Sequence, residues 1–70
     1  MGQITSVMAG NVFKVLVKAG DTVSPNEEVV ILESMKMEIP ITVDSKVIIK
    51  HVKVNEGDFV NEGDVLIELE

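Results

Sequence analysis

Moving residues 12–33 along the chain by a constant 37 positions lays them on residues 49–70 without a gap. Seven of the 22 pairs are identical: Val15/Val52, Val17/Val54, Gly20/Gly57, Asp21/Asp58, Val23/Val60, Leu32/Leu69 and Glu33/Glu70. Val12/Ile49, Glu27/Asp64, Val29/Leu66 and Val30/Ile67 are conservative. Unrelated segments of this composition do not match so often, so the chain carries an internal repeat. Two units of this length are too few for a solenoid, which stacks three or more to bury its faces. The two halves must therefore pack on each other, about an approximate two-fold axis.

Each half opens on an alternating segment, Val12, Val15 and Val17 in the first and Val47, Ile49, Val52 and Val54 in the second. Lys50, His51 and Lys53 fall among the apolar positions, as in half-buried strands. The alternating runs end at Gly20-Asp21 and Gly57-Asp58, which are turn signals, and the shorter apolar runs 29–32 and 65–67 follow. Short β-rich segments with regularly spaced turns predict an all-β, flattened antiparallel barrel or sandwich of two small sheets. No linker or low-complexity stretch divides the chain, so residues 1–70 are expected to form one domain. A domain this small buries only about 60% of the surface its unfolded chain exposes, and without cysteine it has neither disulfides nor a thiolate metal site. The core must come from Val, Ile, Leu and Met, because Phe13 and Phe59 are the only aromatic residues.

Twelve acidic residues face six lysines, with no arginine, for a net charge of −6. Nucleic-acid binding relies on clustered cations and stacking aromatics, and an anionic membrane surface also asks for cations. Neither partner is expected. No stretch approaches the roughly 18 apolar residues of a spanning helix, and the first residues lack a signal pattern. A cytoplasmic protein is the expectation.

One region resists the β reading. From Glu27 to Ile39 there is no glycine, proline, asparagine or aspartate to reverse the chain, and propensity allows a short helix over Glu33–Glu38. Pro40 stops such a helix and pushes Ile39 toward extended geometry. A place where local rules fail in an otherwise consistent sequence is a candidate functional site. It reads Glu33-Ser34-Met35-Lys36-Met37-Glu38, nearly symmetric about Lys36. If the chain reverses here, Lys36 is held out from the domain, between methionines that suit a partner's groove. The plainer alternative is an ordinary surface lysine with both methionines tucked into the core.

Met35-Lys36-Met37, preceded by Glu33, resembles the attachment motif of the biotinyl/lipoyl domain family, usually Glu-Ala-Met-Lys-Met. Gly20-Asp21-Thr22-Val23 and Gly57-Asp58-Phe59-Val60 resemble the family's two Gly-Asp-x-Val turns, and Gly63-Asp64-Val65-Leu66 its closing segment. The resemblance covers nearly the whole chain, and the length is that of small stand-alone bacterial members or of one domain of a carboxylase. Ser34 replaces the usual alanine, Ser6–Gly10 lacks the family's proline, and Val47 stands where glycine is common.

The resemblance implies a flattened barrel with a modified lysine on an exposed hairpin and both termini at the opposite end. It implies a carrier rather than an enzyme, with biotin joined covalently to Lys36 by a biotin protein ligase that reads Met35, Met37, Glu33, Ser34 and Glu38. The carrier then shuttles CO2 between biotin carboxylase and carboxyltransferase components, and is monomeric in isolation. A free lysine amine has a pKa of about 10.4, so the ligase has to supply deprotonation and alignment. Modification removes one positive charge. Lipoate on the same Lys36, for a 2-oxo acid dehydrogenase or glycine cleavage system, is the alternative, although lipoyl members carry aspartate and alanine where Met35 and Met37 stand. Dual modification and an unmodified adaptor are further readings.

The remaining conspicuous residues read as structural. His51 lies on the polar side of a strand, and without cysteine or a second histidine no metal site is expected. Asp21 and Asp58 follow repeat-related glycines and read as turn residues rather than a catalytic pair. Asp58, Glu62 and Asp64 lack calcium-loop spacing and read as a solvated face. No nucleophile–base arrangement is present.

Overall fold

The alternating runs become strands. The computed structural model describes residues 2–70 and contains β1 (Gly2–Thr5), β2 (Gly10–Val15), β3 (Thr22–Val23), β4 (Glu28–Ser34), β5 (Met37–Thr42), β6 (Val47–Val52), β7 (Phe59–Val60) and β8 (Val65–Leu69). They form two four-stranded antiparallel sheets, ordered β1-β8-β6-β3 and β5-β4-β2-β7. The all-β flattened barrel-sandwich expected from the sequence is the fold observed. The helix that propensity allows over Glu33–Glu38 does not form; strand and turn occupy those residues.

A shift of 37 residues carries β1–β4 onto β5–β8 and turns one sheet order into the other. The structural repeat therefore reaches further back than residue 12. It includes β1 and β5, where Ile4/Ile41 and Thr5/Thr42 are identical. Each half lends two strands to the sheet centred on the other half: β1 and β3 flank β8 and β6, and β5 and β7 flank β4 and β2. The bonds that fasten these crossings repeat as well. Gly20 N–H donates to the Ile49 carbonyl and Ile49 N–H to the Asp21 carbonyl (2.8 and 2.9 Å), while Gly57 N–H donates to Val12 and Val12 N–H to Asp58 (2.8 and 2.7 Å).

Four tight turns share one design. In 18–21, 24–27, 55–58 and 61–64 the fourth residue's N–H donates to the first residue's carbonyl at 3.0–3.1 Å. The third residue is at positive φ: Gly20 (95°), Asn26 (70°), Gly57 (96°) and Gly63 (89°). This is type II turn geometry, with Pro25 in the position where proline is favoured. The fourth residue's carboxylate then accepts a bond from the first residue's N–H, at 2.9 Å for Asp21, 2.6 Å for Glu27 and 2.8 Å for both Asp58 and Asp64. Asp58, Glu62 and Asp64 are exposed, as expected of a solvated face, and the two aspartates are structural acceptors as well. The turn reading of Asp21 and Asp58 holds.

The core lies between the sheets and is aliphatic. Val12, Val29, Val30, Leu32, Ile49, Leu66 and Ile67 are its most fully buried side chains. Each contributes about 1.5–3 kcal/mol by leaving water, set against the entropy of ordering the chain. Methionine, expected in this core, supplies among the described residues only the half-buried Met8 at its margin. Bulges between Val12 and Lys14 and between Ile49 and His51 interrupt the alternation at equivalent places. They leave Phe13-Lys14 and Lys50-His51 exposed side by side.

Candidate functional site: the Lys36 hairpin

β4 and β5 pair from Glu28↔Thr42 to Ser34↔Met37, so only Met35 and Lys36 form the loop. Both lie at positive φ, 52° and 64°, as a type I′ hairpin turn requires at its two central positions. Asparagine and glycine usually fill that turn; for other residues the left-handed region costs roughly 1–2 kcal/mol each. The reversal thus occurs without turn-forming residues, imposed by the pairing on either side. Pro40 is tolerated because β5 is an edge strand.

The hairpin alternates faces. Leu32 points into the core, which puts Ser34 and Met37 on the inward side at the mouth of the barrel and Glu33 and Glu38 on the outward side. Glu33 and Glu38 are direct cross-strand partners and both exposed, an unfavourable like-charge pair. Met35 is 91% exposed and Met37 60%, which excludes the reading of both as core residues. Lys36 is exposed. Among the described residues the ion pair present is His51–Glu68, so no carboxylate engages the Lys36 amine.

Two residues at this end were not singled out in the sequence. Phe59, 62% exposed, pairs with Asn11, which pairs on its other side with Glu33. Phe59, Asn11, Glu33 and Glu38 therefore form one row across the outer face. Gly10 is buried, and a Cβ built on it would lie 2.8 Å from the Glu33 carbonyl oxygen and 3.5 Å from the Ser34 Cβ. The available signal was the repeat itself, since Gly10 is the counterpart of Val47.

β2 starts beside Glu33 and runs away from the hairpin; the turn that follows it is clamped on Ile49, beside Leu69 and Gly2. The chain ends are thus together at the end opposite Lys36, as expected. Two concavities lie at that far end, lined by residues that include Gly2, Lys46, Lys50, Glu68 and Leu69. The Lys36 end is a protruding tip instead. It suits a group joined covalently to an amine rather than one enclosed in a pocket. His51 is exposed as expected, but is not merely solvated: its Nδ1 is 3.0 Å from Glu68 Oε1, linking β6 to β8. That contact, then the nearby Lys53, lowers the Glu68 carboxyl below its ordinary 4.5.

Nearly the whole chain is similar to known proteins. A family model described as "Biotin-requiring enzyme" matches residues 1–69. Over 62 residues the chain is 68% identical to the biotin/lipoyl attachment protein of Bacillus subtilis, covering 89% of this chain and 85% of that protein. It is 45% identical over 67 residues to pyruvate carboxylase of Staphylococcus aureus, 96% of this chain but 6% of that enzyme. It is also 45% identical over 62 residues to the biotin carboxyl carrier protein of Streptococcus mutans, covering 89% and 48% of the two chains. Among solved structures, the lipoyl domain of the Azotobacter vinelandii 2-oxoglutarate dehydrogenase complex superposes with a TM-score of 0.77 at 28% identity, over 91% of this chain and 81% of that domain.

Proposed function

Because the chain belongs to the biotin/lipoyl attachment family, we propose that Lys36 is its attachment point and that the group attached is biotin, carried on behalf of a carboxylase. Domains of this family are carriers and not catalytic by themselves. The observation that carries the assignment to Lys36 is the two-residue loop: it projects one amine beyond the barrel, with the exposed Met35 and Met37 on either side.

With biotin activated by the ligase as its adenylate, the deprotonated Lys36 Nζ attacks the adenylate's carbonyl, the amide forms and AMP leaves as the acyl–phosphate bond breaks. No histidine lies on the hairpin and no carboxylate pairs with the amine, so the base that removes its proton belongs to a biotin protein ligase. Met35 and Met37 offer that ligase soft apolar contacts, Glu33 and Glu38 a negative outer face, and Ser34 a small residue at the barrel mouth. Biotin, once bound, supplies a ring nitrogen able to take up and release CO2. The domain presents its tip in turn to a biotin carboxylase and a carboxyltransferase, and tethering makes the second encounter effectively intramolecular. Carriage as a monomer in the cytoplasm belongs to the same proposal. The similarity to S. aureus pyruvate carboxylase and the S. mutans carrier supports biotin.

Lipoate on the same Lys36 is the second reading, favoured by the likeness to a lipoyl domain. Intact mass after incubation with ATP, biotin and a biotin protein ligase, beside a parallel lipoate–ligase reaction, separates the two. One biotin adduct per chain, absent in Lys36→Arg, is expected. A lipoyl adduct alone moves the protein to the second reading, and no adduct from either ligase on the folded chain removes both.

A further inference from the structure

We propose that Gly10 is a positioning residue for Lys36: the missing side chain lets β2 lie against the Glu33 carbonyl, and this contact holds the Met35–Lys36 turn in its left-handed conformation. The proposal rests on the reading of Lys36 as the attachment point.

Gly10 is not needed for its own backbone angles, because the glycines at positive φ are Gly20, Gly57 and Gly63. Its role is steric. A methyl carbon at position 10, 2.8 Å from the Glu33 oxygen, falls about 0.6 Å short of ordinary van der Waals contact, and the opposing atom is backbone rather than a yielding side chain. Glu33 and Ser34 are the two residues that lead into the turn. A side chain at position 10 therefore displaces β4 immediately before Met35.

The repeat supplies an internal control. Gly10 pairs with Val60, and its counterpart Val47 pairs with Val23 in the same relation. The same place in the fold therefore accepts a β-branched residue in the other half. What differs is the neighbouring strand: β4 continues past Glu33 through Ser34 into the two-residue turn, whereas β8 ends at Leu69, one residue before the equivalent Glu70. The glycine goes with the hairpin, not with the architecture. Two consecutive left-handed residues that are neither glycine nor asparagine persist only where their surroundings over-determine them. β5 holds one side of β4 and the close approach of β2 holds the other.

The test compares Gly10→Ala with Val47→Ala by two measurements. NMR Cα shifts and HN–Hα couplings of Met35 and Lys36 report the left-handed turn, and ligase kinetics followed by intact mass report modification. Gly10→Ala is expected to unfold in a single urea transition, to change signals mainly over Glu33–Met37, and to lose roughly tenfold or more in kcat, as sub-ångström misplacement of a reacting group does. Met35→Asn added to Gly10→Ala is expected to restore the left-handed signature. Val47→Ala is expected to keep both the turn signals and the modification rate. Unchanged turn signals in Gly10→Ala, an equal rate loss in Val47→Ala, or failure of Gly10→Ala to fold each overturns the proposal, the last by making Gly10 a folding residue. A wild-type chain that takes no adduct at Lys36 removes the attachment reading, while the NMR comparison still decides whether Gly10 sets the turn.

Discussion

Met35 combines an unfavourable backbone angle with almost complete exposure. Its side chain contributes little to the core, so replacing it tests the backbone nearly alone. Met35→Asn is expected to stabilise the domain by about 0.5–1 kcal/mol, because asparagine enters the left-handed region more readily; a urea midpoint below wild type would contradict this. Methionine there forgoes local stability at the tip, which fits the recognition role proposed for it better than a structural one. His51 and Glu68 present the opposite case, a surface contact that supports the fold. Glu68 has its carboxyl lowered below 4.5 in the folded state, chiefly by His51 and then by Lys53. The stabilisation from that shift is therefore present above 4.5 and lost as pH falls through the lower, folded value. The urea midpoints of wild type and Glu68→Gln are expected to differ near neutrality and to converge on acidification; a gap that persists in acid would exclude this linkage.

The turns show a sequence motif doing more than marking a reversal. Gly-Asp was legible as turn chemistry, but the aspartate's bond back to the first residue's N–H was not, because it depends on a side-chain rotamer rather than on a spacing. Asp21→Ala and Asp58→Ala remove equivalent bonds at 2.9 and 2.8 Å. Each is expected to cost about 1 kcal/mol, measured by urea unfolding, and a large inequality between them would show that the two crossings are not energetic equivalents. The Lys36 hairpin was legible only as a contradiction, a reversal with no turn residues. Local propensity favoured a helix there. Strand pairing over Glu28–Thr42 overrides it, since Leu32 and Ile41 are buried in the extended arrangement.

The two-fold organisation was visible in identities between residues 12–33 and 49–70, which hold most of the shared core. Its extension to β1 and β5 was not, because residues 6–11 and 43–48 share no identical pair and separate Ile4/Ile41 and Thr5/Thr42 from the rest of the match. The exchange of β1, β3, β5 and β7 between the halves was equally hidden: a repeat shows that two halves are alike, not which half each strand joins. The site divided in the same way, with Lys36 and its methionines readable from a motif, and Gly10 and Phe59 emerging only when strand register placed them beside it. The position of the chain ends has a practical meaning for assembly. Sequence added before Gly2 or after Leu69 leaves the domain on the side facing away from the lysine. The module can hang by one cord, by the other, or between both, and in every case its tip faces outward, clear of the tether.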